Sequence, residues 1–337
     1  MIKKLIKFFN ITGLIWFVPL LKIAAGENPK QQLRQLWLIM GLPIIAFMLF
    51  LGFWSVSASG VNTSLGAIPG PVAVWTEVSG LITEHSAEMQ KRSEFYQRQE
   101  LRNKEKLAED PKAEIKFRPY TGKPTYLDQI FTSLRTVFAG FMIATLIAVP
   151  LGILCGMNPL LNTAINPLIQ IFKPVSPLAW LPIVTLVVSA VYVTGDDAWF
   201  AKSFVTSAIT VTLCSLWPTL INTAVGVSSI DRDLVNVGKV LRLDWSTQIK
   251  SIILPSALPY IFTGMRLSLG VGWMVLIAAE MLAQNPGLGK FIWDEFQNGS
   301  ANSLSRIMVA VFTIGFIGFI LDRIMQSLQN VFSFQKI

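Results

Sequence analysis

The sequence predicts an all-α polytopic membrane protein with about six transmembrane helices. The chain is 52% hydrophobic and only 14% charged, with a mean hydropathy of +0.54, well outside the range of ordinary soluble domains. Apolar runs of about 20 residues, the length that crosses a hydrocarbon core, recur between turn-rich and charge-rich stretches. The 337 residues leave room for roughly six such runs plus loops.

Composition also excludes some chemistry. The net charge of +8 reads as membrane topology, because the basic residues cluster at the N-terminus and in one long loop without a basic aromatic patch; no nucleic acid is expected as a partner. Cys155 and Cys214 both lie in apolar runs, where small buried thiols are common, so no disulfide is expected. His85 is the single histidine, which argues against a histidine-based metal site or catalytic triad. No catalytic residue, metal or cofactor is assigned.

Residues 1–35 begin with Lys3, Lys4 and Lys7 and an apolar run, Ile11 to Leu21, interrupted by Pro19. That run is too short to span a bilayer, and Ile23-Ala24-Ala25 is a poor cleavage site, so a basic amphipathic segment lying on membrane lipid is expected. Residues 36–56 form the first span, with Pro43 near its start. The Lys/Arg residues before it place the N-terminus in the cytoplasm.

Residues 57–127 are the one sizeable hydrophilic stretch and are expected to be an extracytoplasmic, charged, helical insertion. After the turn-rich Gly66-Ala-Ile-Pro-Gly-Pro71, a helix from Val72 to about Leu107 follows from scarce Pro and Gly and abundant Glu, Lys, Arg and Gln. Its charges read as a solvated face. Loops of more than about 60 residues cross a membrane largely regardless of charge.

Residues 128–330 hold the remaining spans. Ile130–Gly156 is the second, and the third is expected at about Leu168–Val193. The third contains Lys173-Pro-Val-Ser176-Pro-Leu-Ala-Trp180-Leu-Pro182, which cannot be a regular helix. Broken helices of this kind often line transport pathways, although a kinked packing helix is the plainer reading. A short outer turn is expected at Gly195-Asp196-Asp197, and Phe204–Val227 is the fourth span. Pro259–Ala283 is the fifth, where Gly264, Gly270 and Gly272 permit close approach and Arg266 and Glu280 are costly intramembrane charges that must face protein or an interface. Arg266 lies close enough to one end to snorkel. A short amphipathic piece at Phe291–Phe296 precedes the sixth span, about Ser305–Ile324. The even count puts both termini in the cytoplasm.

Between the fourth and fifth spans, a loop over residues 229–258 carries two short helices. Leu234, Val237 and Leu241, with Val240 beside them, recur at helical spacing and form one apolar stripe. Asp244 is placed to cap a second helix that begins at Trp245 and is expected to stop at Pro255. An unspent apolar face in a loop points to a protein partner.

This loop resembles that of bacterial ABC-importer permeases, patterned Glu-Ala-Ala, three residues, Gly, nine residues, Ile-x-Leu-Pro. Aligned on Leu254-Pro255, the Glu falls on Asn236, the two Ala on Val237 and Gly238, the Gly on Arg242 and the Ile on Ile252. Arg242 departs from the pattern, and a positive φ there would cost on the order of 1 kcal/mol. The run Lys173 to Pro182, the run Leu254 to Arg266 and Ala278-Ala-Glu280-Met-Leu resemble the nitrate/sulfonate/bicarbonate group of these permeases. The first run, with Phe291-Ile-Trp-Asp294, is most similar to the nitrate type.

The resemblance covers about Ile130 to Phe334 and implies a type I ABC-importer permease arrangement in a bacterial inner membrane. It also implies partners: ATPase subunits docked on the loop, an extracytoplasmic substrate-binding protein, and a second permease copy, expected to be identical. Leu234, Val237, Gly238, Leu241, Arg242, Asp244, Leu254 and Pro255 become the expected coupling residues. Consistently, the sequence has no Gly-x-x-x-x-Gly-Lys-[Ser/Thr] run, so ATP hydrolysis would belong to another chain. Arg135, Lys173, Ser176, Trp180, Arg266 and Glu280 are the candidates for the translocation pathway. So few cations suit a weakly hydrated monovalent anion, nitrate first, with bicarbonate, cyanate or a small sulfonate as alternatives. An intramembrane enzyme would need its ionisable groups at one depth, and a channel or ATP-independent carrier leaves the loop unexplained.

Overall fold

The computed structural model describes residues 5–6, 9, 15–26, 28–63, 66–110, 115, 117–192, 200–300 and 302–333. Lys3, Lys4, Lys7 and the expected turn Gly195-Asp196-Asp197 lie outside the described residues. A short helix α1 (Val18–Ala24) precedes α2 (Pro29–Ser59). The helix α2 extends the predicted 36–56 run at both ends and contains a π turn at Trp37–Gly41. A two-residue hairpin, β1 (Asn62–Thr63) against β2 (Gly66–Ala67), leads to α3 (Pro71–Glu109). Then come α4 (Tyr126–Met157), α5 (Pro159–Phe172), α6 (Pro177–Val191), α7 (Lys202–Ser228), α8 (Arg232–Val240), α9 (Trp245–Ala283), α10 (Leu288–Asn298) and α11 (Ser303–Ser333).

Five of these helices, α2, α4, α7, α9 and α11, are long and apolar enough to cross a membrane, and the bent pair α5–α6 makes a sixth crossing if counted as one. The third span thus starts earlier than predicted, at Pro159, and is two helices meeting at 100° across Lys173–Ser176. The physical reason is the proline spacing. Pro174 and Pro177 remove successive backbone donors, and Pro177 fits the first turn of a new helix capped by the Ser176 hydroxyl, which accepts the Leu178 N–H at 3.3 Å.

A second correction concerns Pro255, which does not stop the helix. The chain runs unbroken from Trp245 to Ala283, with a π turn at Ile249–Ile253 immediately before it. Widening the ladder there accommodates a residue that cannot donate.

The core is the packing of α9 on α7, with α4, α10 and α11 around it. Val137, Phe141, Val211, Leu269, Trp273, Leu276 and Phe291 are buried there. At Gly264 the two helices approach closely, since a Cβ would come within 2.8 Å of Asn222 Cβ and 2.9 Å of Thr219 Cα. Gly270, by contrast, faces open space. The span α2 stands apart, with none of its most apolar stretch buried, and meets α11 through Trp54 and Phe312, 4.9 Å between ring centres.

Candidate functional site

At the end of the bundle between α7 and α9, the loop folds as a self-capped unit. Just before α8, Asp231 accepts the Asp233 N–H at 2.9 Å. The helix closes with the Leu243 N–H donating to the Gly238 carbonyl at 3.0 Å, a six-to-one closure that requires its penultimate residue to be left-handed. That residue is Arg242, at φ +48°. The non-glycine therefore does occupy a glycine conformation, at a cost of about 1 kcal/mol.

Asp244 caps α9 as its position predicts. It accepts the Thr247 N–H at 3.2 Å and the Thr247 hydroxyl at 2.6 Å, and these bonds hold its carboxyl below the usual range. Gly238 is buried because α8 lies against the π turn, where a Cβ would meet Ile252 Cδ1 at 3.0 Å. Leu254 and Pro255 lie just beyond that turn, inside α9. The stripe is left uncovered: Leu234 is 49% exposed, Val237 52%, Leu241 63% and Val240 81%. Four apolar side chains on a rigidly capped helix form a surface with no partner within the described chain.

The six pathway candidates fall in four separate places. Lys173, Ser176 and Trp180 meet at the α5–α6 elbow. There Phe172 stacks on Trp217 of α7 at 6.3 Å and tilts against Trp180 at 5.8 Å. The indole nitrogens of Trp180 and Trp217 are buried without a hydrogen-bond partner among the described residues. Thr185 of α6 spends its hydroxyl on the Leu181 carbonyl at 2.8 Å.

Arg135 lies far from the elbow, near the start of α4, over the rings of Phe200 and Phe204 at 5.3 and 5.4 Å. Arg266 does not snorkel. It makes a two-pronged ion pair with Asp322 of α11, at 2.5 and 2.7 Å.

Glu280 is fully buried and acts as a clamp. Its carboxylate accepts the Ser133 hydroxyl at 2.9 and 2.8 Å and the Gly289 N–H at 3.0 Å, while Ser133 accepts the Leu288 N–H at 2.9 Å. A Cβ at Gly287 would collide with that carboxylate. The start of α10 is thereby tied to both α4 and α9.

A further cluster at this end was missed in the sequence. Arg306 of α11 reaches Glu77 at 2.8 Å and Glu84, both on α3, and Glu295 of α10 at 3.3 Å. Nearby, His85 of α3 bonds Thr125 at 2.7 Å, and the Thr125 hydroxyl donates to Asp128 at 2.7 Å in the capping box of α4. The helix α3 is thus strapped across the starts of α4 and α11. An arginine at the head of an apolar span was the available signal, but its partners lie more than 200 residues away for Glu77 and Glu84.

Residues 148–333, more than half of the chain, match the family model of the binding-protein-dependent transport system inner membrane component. The chain belongs to that family. Within it, the permease is 38% identical over 196 residues to the nitrate import permease protein NrtB of Synechococcus elongatus, covering 58% of this chain and 66% of that protein. It is 39% identical over 203 residues to the bicarbonate transport system permease protein CmpB of the same organism, and 41% over 204 residues to CmpB of a Synechocystis species; each match covers 60% of this chain and 68% of the relative. The permease therefore spans about two thirds of the length of these curated relatives and belongs, as its motifs implied, with ABC-importer permeases of the nitrate and bicarbonate group. It is a multi-pass membrane protein and a transport component rather than a catalyst.

Proposed function

We propose that this permease is the membrane-spanning subunit of an ATP-driven importer for a small anion, nitrate in the first instance. The observation that carries the small-anion importer, though not the choice of nitrate, is its near-equal likeness to relatives named for nitrate and for bicarbonate import. Its charge distribution supports a weakly hydrated monovalent ion. Arg266 is neutralised by Asp322, Arg135 is held by two rings, and Lys173 is the cation at the elbow. A strongly hydrated divalent ion would need closer compensation than this.

In this reading two ATPase subunits, one per permease copy of a homodimer, dock on the stripe Leu234, Val237 and Leu241. An extracytoplasmic binding protein delivers the anion at the opposite end. Loop 229–258 and both termini face the cytoplasm of the bacterial cell, and α3 helps receive the binding protein. The elbow residues Lys173, Ser176 and Trp180 border the path. ATP-driven approach of two docked loops would re-pack the spans between two arrangements.

The test is ATP hydrolysis by the reconstituted complex with its binding protein, challenged with nitrate, bicarbonate, cyanate and a small sulfonate one at a time. Stimulation by nitrate alone supports the choice. Stimulation by bicarbonate alone favours the second reading, which rests on the 39–41% identity to the bicarbonate relatives. Uptake without any ATPase would sink the importer assignment in favour of a channel or carrier. Topology is read separately: a cysteine replacing Ser93 should react with an impermeant thiol reagent in cells whose inner membrane is intact.

A further inference from the structure

We propose that a crevice between α4 and the first turns of α9 binds an anionic phospholipid of the leaflet on the loop side. The crevice has a volume of about 340 Å³, at the small end of ligand pockets (about 300–1,000 Å³). Pro150, Ile153 and Leu154 of α4 form one wall, and Trp245, Ile249 and Lys250 of α9 form the other. Leu154 is three residues from the end of α4, about 5 Å along the helix, so the wall lies where a span meets water.

The charge at the rim decides the occupant. Lys250 is exposed and makes no ion pair among the described residues. Beside it stands the half-uncovered indole of Trp245, 61% exposed. An apolar slot that ends in an ammonium group and an indole fits an amphiphile, with an acyl chain between the helices and a phosphate at Nζ.

The slot is distinct from the uncovered stripe on α8, which packs against the neighbouring face of α9 through Gly238 and Ile252. An acyl chain here would bridge α4 to the stretch of α9 that carries the loop. Anionic lipid would then tune the coupling of the loop to the spans. The inference rests on the span register and not on which anion is carried, so it stands or falls separately from the substrate.

The experiment uses the full permease with its ATPase in nanodiscs, and a phosphatidylglycerol carrying a photoreactive acyl chain. Crosslinks are expected on the peptides holding Pro150–Leu154 and Trp245–Lys250, competed by unlabelled phosphatidylglycerol far better than by phosphatidylcholine. Lys250→Gln should reduce that preference on the order of fivefold, the equivalent of about 1 kcal/mol for one surface lysine. Leu154→Trp, which fills the slot, should abolish labelling while helicity and ATPase association persist. Equal competition by phosphatidylcholine, unchanged labelling in both variants, crosslinks confined to other sites, or displacement of the label by bound ATPase or a second permease copy would each overturn the proposal.

Discussion

Ser268 of α9 hydrogen-bonds Thr219 of α7 inside that helix's own ladder. The Ser268 hydroxyl oxygen accepts the Thr219 N–H at 3.1 Å, and the hydroxyl donates to the Ser215 carbonyl, the group one turn back that Thr219 would ordinarily reach. The insertion falls beside Pro218, which lacks a donor and loosens the ladder. All three partners are fully buried, so a polar interlock joins the two most closely packed helices.

Ser268→Ala should therefore lower stability by about 1–2 kcal/mol, the cost of leaving buried polar groups unpaired. Thermal unfolding of the purified protein in detergent measures it. An unchanged midpoint would mean that the ladder of α7 closes by itself once the hydroxyl is gone.

Leu241→Asp should weaken ATPase association on the order of tenfold or more, because a charge would enter the apolar stripe. The substituted side chain faces outward, 63% exposed in the parent residue, so membrane insertion and thermal stability should be retained. Pull-down of the ATPase with wild type and variant in the same detergent decides it, and full retention of binding would remove the stripe from the docking surface.

Removing the Glu280 carboxylate should be expensive. Glu280→Ala leaves the Ser133 hydroxyl and the Gly289 N–H without their acceptor in a fully buried site, a loss of about 3 kcal/mol. Glu280→Gln keeps one acceptor oxygen and should recover part of it. Hydrogen exchange at the start of α10 should rise in the alanine variant if the clamp holds that helix, and stay flat if it does not.

On α3, Glu88 accepts the Tyr120 hydroxyl at 2.7 Å. This bond draws the Glu88 carboxyl below its ordinary value and raises the Tyr120 phenol above its own. The lowered carboxylate contributes above its unfolded value, about 4.3, and that contribution is lost as pH falls through the folded one. The raised phenol contributes below about 10 and is lost as pH rises through its folded value. The return of residues 117–125 along α3 should thus hold across the neutral range and loosen at both extremes. Limited proteolysis across pH measures this, and Tyr120→Phe should flatten both limbs.

The spans were legible because length and apolarity are local properties, and so was the Asp244 cap, since capping needs only the right side chain at the right offset. The end of the loop's second helix was not. Reading Pro255 as a stop assumes a regular ladder, and the π turn at Ile249–Ile253 removes that assumption. The mates of Arg266 and Arg306 were equally hidden. Asp322 lies 56 residues from Arg266, and nothing in spacing ties them until helices α9 and α11 are packed. Glu280 carried a partial signal, since an intramembrane charge must face protein or an interface, but Ser133 is 147 residues away.

The unbroken course of α9 has a mechanical meaning. Its 39 residues make a rod about 58 Å long, roughly twice the hydrocarbon thickness it has to cross, about 30 Å. One tip holds the capped loop, with Gly238 of α8 against Ile252, and the Glu280 carboxylate lies one turn from the other. Such a rod is a lever with its fulcrum among the packed glycines and serines of its middle. Rocking it by about 10° would swing each tip through about 5 Å, so a small approach of two docked loops would be felt at full size on the far side of the membrane.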